Sequence, residues 1–365
     1  MKHINYLMAA LAVGTCAIGA AAQTTQKFTA AKHNEYGLVY SLPVTHVRIT
    51  VEAERTVCKA GPFYKYAKKY LGVDDVVTAD SETWTLKSVS MDSYGVPDQS
   101  NRYLMQFKSG SSPFLMMTED GLPLAINEEN VALPIREKKA ADVPESRLDN
   151  NNFAKSLPGE LLTSESTAKR AELAAQMIYK LRESRTNYAT GEADQMPPDG
   201  AALKLILDHL DEQEADLMAL FCGTRSKGTA VKTFDYVPMD EVSKEVVFRL
   251  SDANGIVDKN DLGGAPATLS LKIDARGQLP KDEKGNEKKL PKGAVMYRIP
   301  GSATLTISYE GEKVCSKTFD VAQFGIDFGL DPAIFTDKKR PSFVKFYPET
   351  GAIKELGLLP EQSDK

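Results

Sequence analysis

The chain has 365 residues, 42% hydrophobic and 26% charged, with a formal net charge of −5. That balance excludes collagen-like, disordered and polytopic membrane classes, and its mild acidity argues against a nucleic-acid binder, which needs a basic face or tail. Single cores stop growing near about 250–300 residues, so two domains are expected.

Residues 1–22 read as a signal peptide. Lys2 and His3 give a short polar start, Leu7 to Ala22 is an apolar or small-residue run, and Ala20-Ala21-Ala22 precedes Gln23 as a cleavage site. The run is shorter than the roughly 20 residues needed to span a bilayer, so no transmembrane span is expected in the mature chain. The sequence therefore implies export across the inner membrane, to a periplasmic or cell-surface and extracellular location. Lipid attachment at Cys16 is the alternative, disfavoured by the bulky Thr15 before it. Export leaves Cys58, Cys222 and Cys315, an odd and sparse set without metal spacing. One bridge could form, but three small apolar residues are the simpler reading.

From Tyr36 to Val57 the apolar residues alternate as in strands. Their parity changes at Pro43, which predicts a bulge or a bend between two strands. Gly61-Pro62 opens a short helix, Phe63 to Leu71, stopped by Gly72. Strands follow at Thr83–Met91, Tyr103–Phe107, Phe114–Thr118 and Leu122–Ile126, completing an N-terminal β-rich domain over 23–126. Residues 127–162 have the polar, proline-containing composition of a linker.

The middle, 163–223, reads as an antiparallel helical hairpin. Ala168, Ala171, Ala175, Ile178 and Leu181 recur at helical spacing, with Thr163 or Ser164 as cap. After a loop with Thr190-Gly191 and Pro197-Pro198, a second helix starts at Asp199 and ends at Gly223. Strands return over 224–365 as a C-terminal β-rich domain: Val231–Val237, Lys244–Leu250, Thr268–Ile273, Ala294–Ile299, Ala303–Tyr309, Lys313–Phe319, Phe343–Tyr347 and Ala352–Glu355, with turns at Asn254-Gly255, Glu310-Gly311 and Thr350-Gly351. The fold class is α+β, predominantly β: two sandwich or open-barrel-like β domains flanking the hairpin. Tyr40-x-Leu42-Pro43 and Tyr297-x-Ile299-Pro300, each followed at the same interval by Val57-Cys58 or Val314-Cys315, raise an internal duplication. A shared path of 36–60 and 293–317 is its test.

Chemistry is sparse. His33 lies in a poorly patterned stretch, and His46 falls on the polar side of a strand. His209-Leu210-Asp211-Glu212-Gln213 resembles a zinc string, but Gln213 replaces the second histidine. Glu214 can sit on the apolar stripe as a buried acid or on its flank, paired with Lys169 or Arg170. Asp258 and Asn260 begin a calcium-loop pattern that Leu262 and Leu269 break; Asx turns explain them as well. Trp84 reads as core. No catalytic, cofactor-binding or metal-ligating residue is assigned, and no cofactor is expected.

Several segments together resemble a known family: Ala60-Gly61-Pro62-Phe63-Tyr64, Ile178-Tyr179-Lys180-Leu181-Arg182, Leu220-Phe221-Cys222-Gly223, Asp261-Leu262-Gly263-Gly264-Ala265-Pro266, Tyr297-Arg298-Ile299-Pro300-Gly301 and Gln323-Phe324-Gly325. They are similar to an uncharacterised exported-protein family of Bacteroides-type bacteria, classed as a domain of unknown function. The resemblance spans roughly residues 30–356. It implies a Gram-negative envelope setting and transfers no activity. The resulting expectation is a non-catalytic binding or assembly module with an unknown envelope protein or polymer as partner. The alternative is a polysaccharide or peptide hydrolase with an inter-domain site of Asp, Glu or Tyr.

Overall fold

A computed structural model describes residues 24–27, 37–106, 114–129, 131, 166–337 and 340–359. The expected signal peptide, Cys16, His33 and the caps Thr163 and Ser164 lie outside them, as does most of the stretch read as a linker. The fold is α+β and predominantly β.

Two long hairpins organise it. Strand β2 (Leu38–Lys59) turns back as β3 (Ser81–Gln106), and β10 (Val295–Tyr309) turns back as β11 (Glu312–Leu330). The first sheet has the order β1-β3-β2-β6, with β1 at Thr24–Lys27 and β6 at Thr224–Tyr236. The second has the order β11-β10-β9-β7-β8, with β7 at Val242–Ser251, β8 at Gly255–Asp258 and β9 at Ala265–Ala275. The alternation of β2 places Val47, Ile49 and Val51 inward, where they meet Leu269, Leu271, Leu305 and Ile307 of the second sheet. These two sheets form a sandwich, each lending one apolar face.

Four predicted strands fuse into two. The strands expected at Thr83–Met91 and from Tyr103 are parts of β3, which runs through Gly95 and Pro97 to Gln106; those expected at Ala294–Ile299 and Ala303–Tyr309 merge in β10, which starts at Val295 and runs through Pro300. The parity change at Pro43 is a register shift between Ser41 and Pro43 within one strand. Proline is tolerated there because β6 pairs with β2 only from Val47 onward, so no ladder partner needs the missing N–H.

Strand pairing crosses the expected segment boundaries. β6 lies beside β2, and a third sheet, ordered β13-β12-β5-β4, joins β4 (Leu115–Met117) and β5 (Pro123–Ile126) to β12 (Ser342–Phe346) and β13 (Ile353–Leu358). That sheet closes a second core over Tyr40, Leu42, Tyr103 and Met105. Asn127, at the start of the stretch read as a linker, is buried, and its Nδ2 donates to the carbonyls of Phe335 and Ser342.

The proposed duplication fails its test. Residues 36–60 continue along one strand to Lys59, whereas 293–317 reverse at Glu310-Gly311, both at positive φ, so Cys315 sits on the return strand β11. The cysteine correspondence is chance. The two Tyr-x-aliphatic-Pro segments do meet in space: the Tyr40 hydroxyl accepts from Met296 N–H at 2.8 Å and donates to Met296 O at 3.2 Å.

At the other end of β2, a 3₁₀ turn and α1 (Ala67–Leu71), ended by Gly72, receive the helical hairpin. Helix α2 (Thr167–Thr190) is capped by Ser166 and ends at Gly191. Helix α3 (Gly200–Cys222) starts at the expected Asp199, whose carboxylate accepts from Ala202 N–H at 2.7 Å, and ends at Gly223. Among the described residues no helix is long and apolar enough to cross a membrane.

Candidate functional site

The hairpin is built in two unlike halves. At its base Ala171, Ala174, Ala175 and Ile178 of α2 meet Leu217, Leu220 and Phe221 of α3, and the small alanines let the helices approach closely. Phe63 and Ala67 cover this base; the Phe63 and Phe221 rings are 5.5 Å apart, and Phe63 N–H donates to Leu220 O at 2.8 Å. Beyond the base nothing is fully buried: no residue of α2 after Ile178 and none of α3 before Leu217. There Leu181, Tyr188, Leu203, Ile206, Leu207 and Leu210 continue the apolar face half-exposed.

Two arginines clasp the distal half. Arg182 Nε reaches Glu214 Oε1 at 2.7 Å, and Arg185 Nη1 reaches Asp211 Oδ1 at 2.8 Å and Glu214 Oε2 at 3.3 Å. Glu214 is therefore on the flank of the stripe with only 14% of its side chain exposed, but its partners are these arginines, not the expected Lys169 or Arg170. Both of its oxygens are occupied by guanidinium groups, which suits a clasp rather than a proton carrier. The helices differ in charge. α2 carries Lys169, Arg170, Lys180, Arg182 and Arg185 against Glu172 and Glu183, while α3 carries Asp208, Asp211, Glu212, Glu214 and Asp216 against Lys204.

The other sequence candidates disperse. His209 lies on the outer face of α3, 3.6 Å from Glu212. Asp258 Oδ1 accepts from Asn260 N–H and Asn260 Nδ2, and Asp261 Oδ1 accepts from Gly263 N–H, so these carboxylates close Asx turns; Leu262 is 82% exposed. Among the described residues, no group of three or more His, Cys, Asp and Glu side chains could hold a metal ion. Trp84 is half-buried, packed on Gly255 and under Arg55, and its Nε1 donates to Glu82. Cys58, Cys222 and Cys315 are free and half-buried, and burial pushes the thiols of Cys222 and Cys315 up, away from the reactive thiolate.

Two arrangements escape sequence reasoning. On the outer face of the first sheet, His46 pairs across the strands with Tyr94 at 5.5 Å between rings, and Arg48 lies 5.0 Å over the same ring. Burial lowers the His46 pKa, with Asp235 opposing; burial and a hydrogen bond to Asp235 push Tyr94 up to about 12. Only the strand register signals this group. The second is interior. Arg298 is 6% exposed, its Nε is 2.7 Å from Asp327 Oδ1, and its Nη1 donates to Pro43 O at 3.0 Å. Thr45 joins it nearby: its hydroxyl accepts from Ala322 N–H and donates to Glu349 O, while Gln323 brackets the Thr45 backbone.

Shallow depressions lie on the second sheet. One of about 520 Å³ is lined by Lys244, Thr268, Ser270, Ser308 and Glu310, and one of about 470 Å³ by Asp240, Glu241, Asp274 and Arg276. In the latter, Glu241 Oε1 accepts from Ile273 N–H at 2.8 Å and Asp274 Oδ2 from the Thr304 hydroxyl at 2.6 Å, so both acids serve the strands around them.

Fold and site together define a β-sandwich protein carrying a clasped, half-covered helical hairpin. The chain belongs to the family described as a domain of unknown function, DUF4831, whose profile matches residues 36–354, from the edge of β2 into β13. No curated protein and no solved structure matches it.

Proposed function

We propose that this chain is an exported cell-envelope protein whose mature part is a non-catalytic binding or assembly module. The observation that carries the reading is the distal hairpin, where the apolar face that Phe63 and Ala67 cover at its base runs on only partly buried among the described residues. An amphipathic helix pair with an open apolar face gains free energy when a partner removes that face from water. The buried or largely buried side chains of Arg298, Asp327, Glu214 and Thr45 make hydrogen bonds or ion pairs with internal partners. Export is supported by the Leu7–Ala22 run and its small-residue end, and the Gram-negative setting by the motif set given above.

The test is affinity capture of the tagged full chain from its own envelope, with and without chelator, beside incubation with envelope polysaccharide and peptidoglycan. A reproducible protein or polymer partner and unchanged polymer are expected. Polymer degradation that Glu241→Gln or Asp274→Asn abolishes would overturn the reading in favour of a hydrolase.

A further inference from the structure

Independently of the hairpin, we infer that the depression of about 520 Å³ on the outer face of the second sheet binds a neutral saccharide. Ser243, Lys244, Pro266, Thr268, Ser308 and Glu310 line it. Strand alternation puts the hydroxyls there: Thr268 and Ser270 lie between buried Ala267, Leu269 and Leu271 on β9, and Ser308 follows buried Ile307 on β10. The register then sets Ser308 directly opposite Thr268.

Hydrogen bonding separates this group from the rest of the face. Farther along β10 the hydroxyls serve one another. That of Thr304 donates to Asp274 Oδ2 and meets the Thr318 hydroxyl, and that of Thr306 meets the Ser316 hydroxyl at 2.8 Å. Ser270 turns its hydroxyl to the Thr306 carbonyl at 3.4 Å. By contrast, the side chains of Ser243, Lys244, Thr268 and Ser308 have no hydrogen-bonding or ionic partner among the described residues. Irregular backbone places the two charges. A register shift between Val242 and Glu245 leaves Ser243 and Lys244 outside the paired positions of the β7–β9 ladder. Glu310 stands in the β10–β11 turn at a φ of 51°, where asparagine or glycine is the ordinary residue.

The lining selects the occupant. Small-molecule sites of this size are mostly apolar, whereas this one offers hydroxyls, one ammonium and one carboxylate whose charges cancel. A polyanion would meet Glu310 and a polycation Lys244, and an apolar ligand would strip water from the hydroxyls without replacing its bonds. A sugar hydroxyl both donates and accepts, so it matches serine and threonine in either role, lysine as an acceptor and glutamate as a donor. Pro266 leaves an apolar surface for the CH face of the ring.

An NMR titration of the isotope-labelled full-length mature chain with maltotriose, cellotriose and triacetylchitotriose tests this. At least one sugar should shift the amides of Ser243, Lys244, Thr268 and Ser308 together, with a dissociation constant of about 0.1–10 mM. Because the ligand is neutral, that constant should hold from about 50 mM to about 500 mM salt. Thr268→Val with Ser308→Ala should weaken binding at least about tenfold, and Glu310→Asn at least about fivefold. The two hydroxyl positions are half-exposed and asparagine suits the turn better than glutamate, so the unfolding midpoints should hold or rise. No shift with any of the three sugars at about 20 mM, shifts that map away from the depression, or binding indifferent to both variants overturns the inference. So does trialanine shifting these amides where the sugars do not. A chain that ignores all three sugars yet captures an envelope protein overturns this inference alone. One that binds a sugar at these residues while degrading polymer supports it and overturns the non-catalytic reading.

Discussion

Tyr40 and Arg298 join the two long hairpins at their bulges. The Tyr40 hydroxyl satisfies both the N–H and the carbonyl of Met296, and Arg298 satisfies the carbonyl of Pro43 while neutralising Asp327. A buried donor left without a partner costs about 1–3 kcal/mol, so Tyr40→Phe should destabilise by that amount in urea unfolding, with the m-value unchanged. Asp327→Asn leaves a nearly buried guanidinium without its counter-charge and should cost more, about 3–5 kcal/mol. The sequence shows both residues inside a repeated Tyr-x-aliphatic-Pro segment, yet not their roles. Their partners lie 256 and 255 positions away, and nothing local to Arg298 distinguishes a buried arginine from a solvated one. Glu214 was half legible for a related reason. Helical spacing placed it beside the stripe, but which arginine it meets depends on the relative height of two helices.

Elements were more legible, because caps and turns are local chemistry. Asp199 and Gly223 bound α3 where the spacing puts them, and Glu310-Gly311 turns β10 into β11. Strand ends were misjudged at prolines and glycines. Pro43 reads as a bulge or a bend, and a register shift realises it inside one strand; Pro300 falls between two expected strands, and a register shift there keeps them continuous. The strand expected to end at Phe319 runs on through Gly325 to Leu330 as β11. There a Cβ would collide with the Ile299 carbonyl, so the glycine permits a close approach of β11 to the β10 bulge. Gly325→Ala should therefore cost about 3 kcal/mol in chemical unfolding. Asp199→Ala, which removes one cap bond on the surface, should cost only about 1 kcal/mol. Comparable losses from the two would contradict the assignment of one to packing and the other to capping.

At the scale of the molecule, the alternation pattern determined which faces are apolar and hence that a sandwich forms, but not that β6 would join β2 or that β12 would join β5. Those pairings are chosen by the whole core. The core also leaves a titration signature. Burial, the largest cause in each case, pushes the hydroxyls of Tyr103 and Tyr236 up to about 12, and that of Tyr40 further in the same direction. The unfolded chain releases those protons near the ordinary tyrosine value of 10. Above that pH the unfolded state binds fewer protons than the folded one, so stability falls as pH rises, through the window from about 10 to about 12. The urea midpoint should therefore decline across that window. Absorbance near about 295 nm should show these tyrosines ionising together with the loss of structure, after the exposed ones have titrated. Tyr103→Phe and Tyr236→Phe each remove one such proton and should flatten the decline. A midpoint constant to pH 11.5, about 1.5 units above the ordinary tyrosine value, would mean that these hydroxyls meet water in the folded protein and that the two cores are not closed as described.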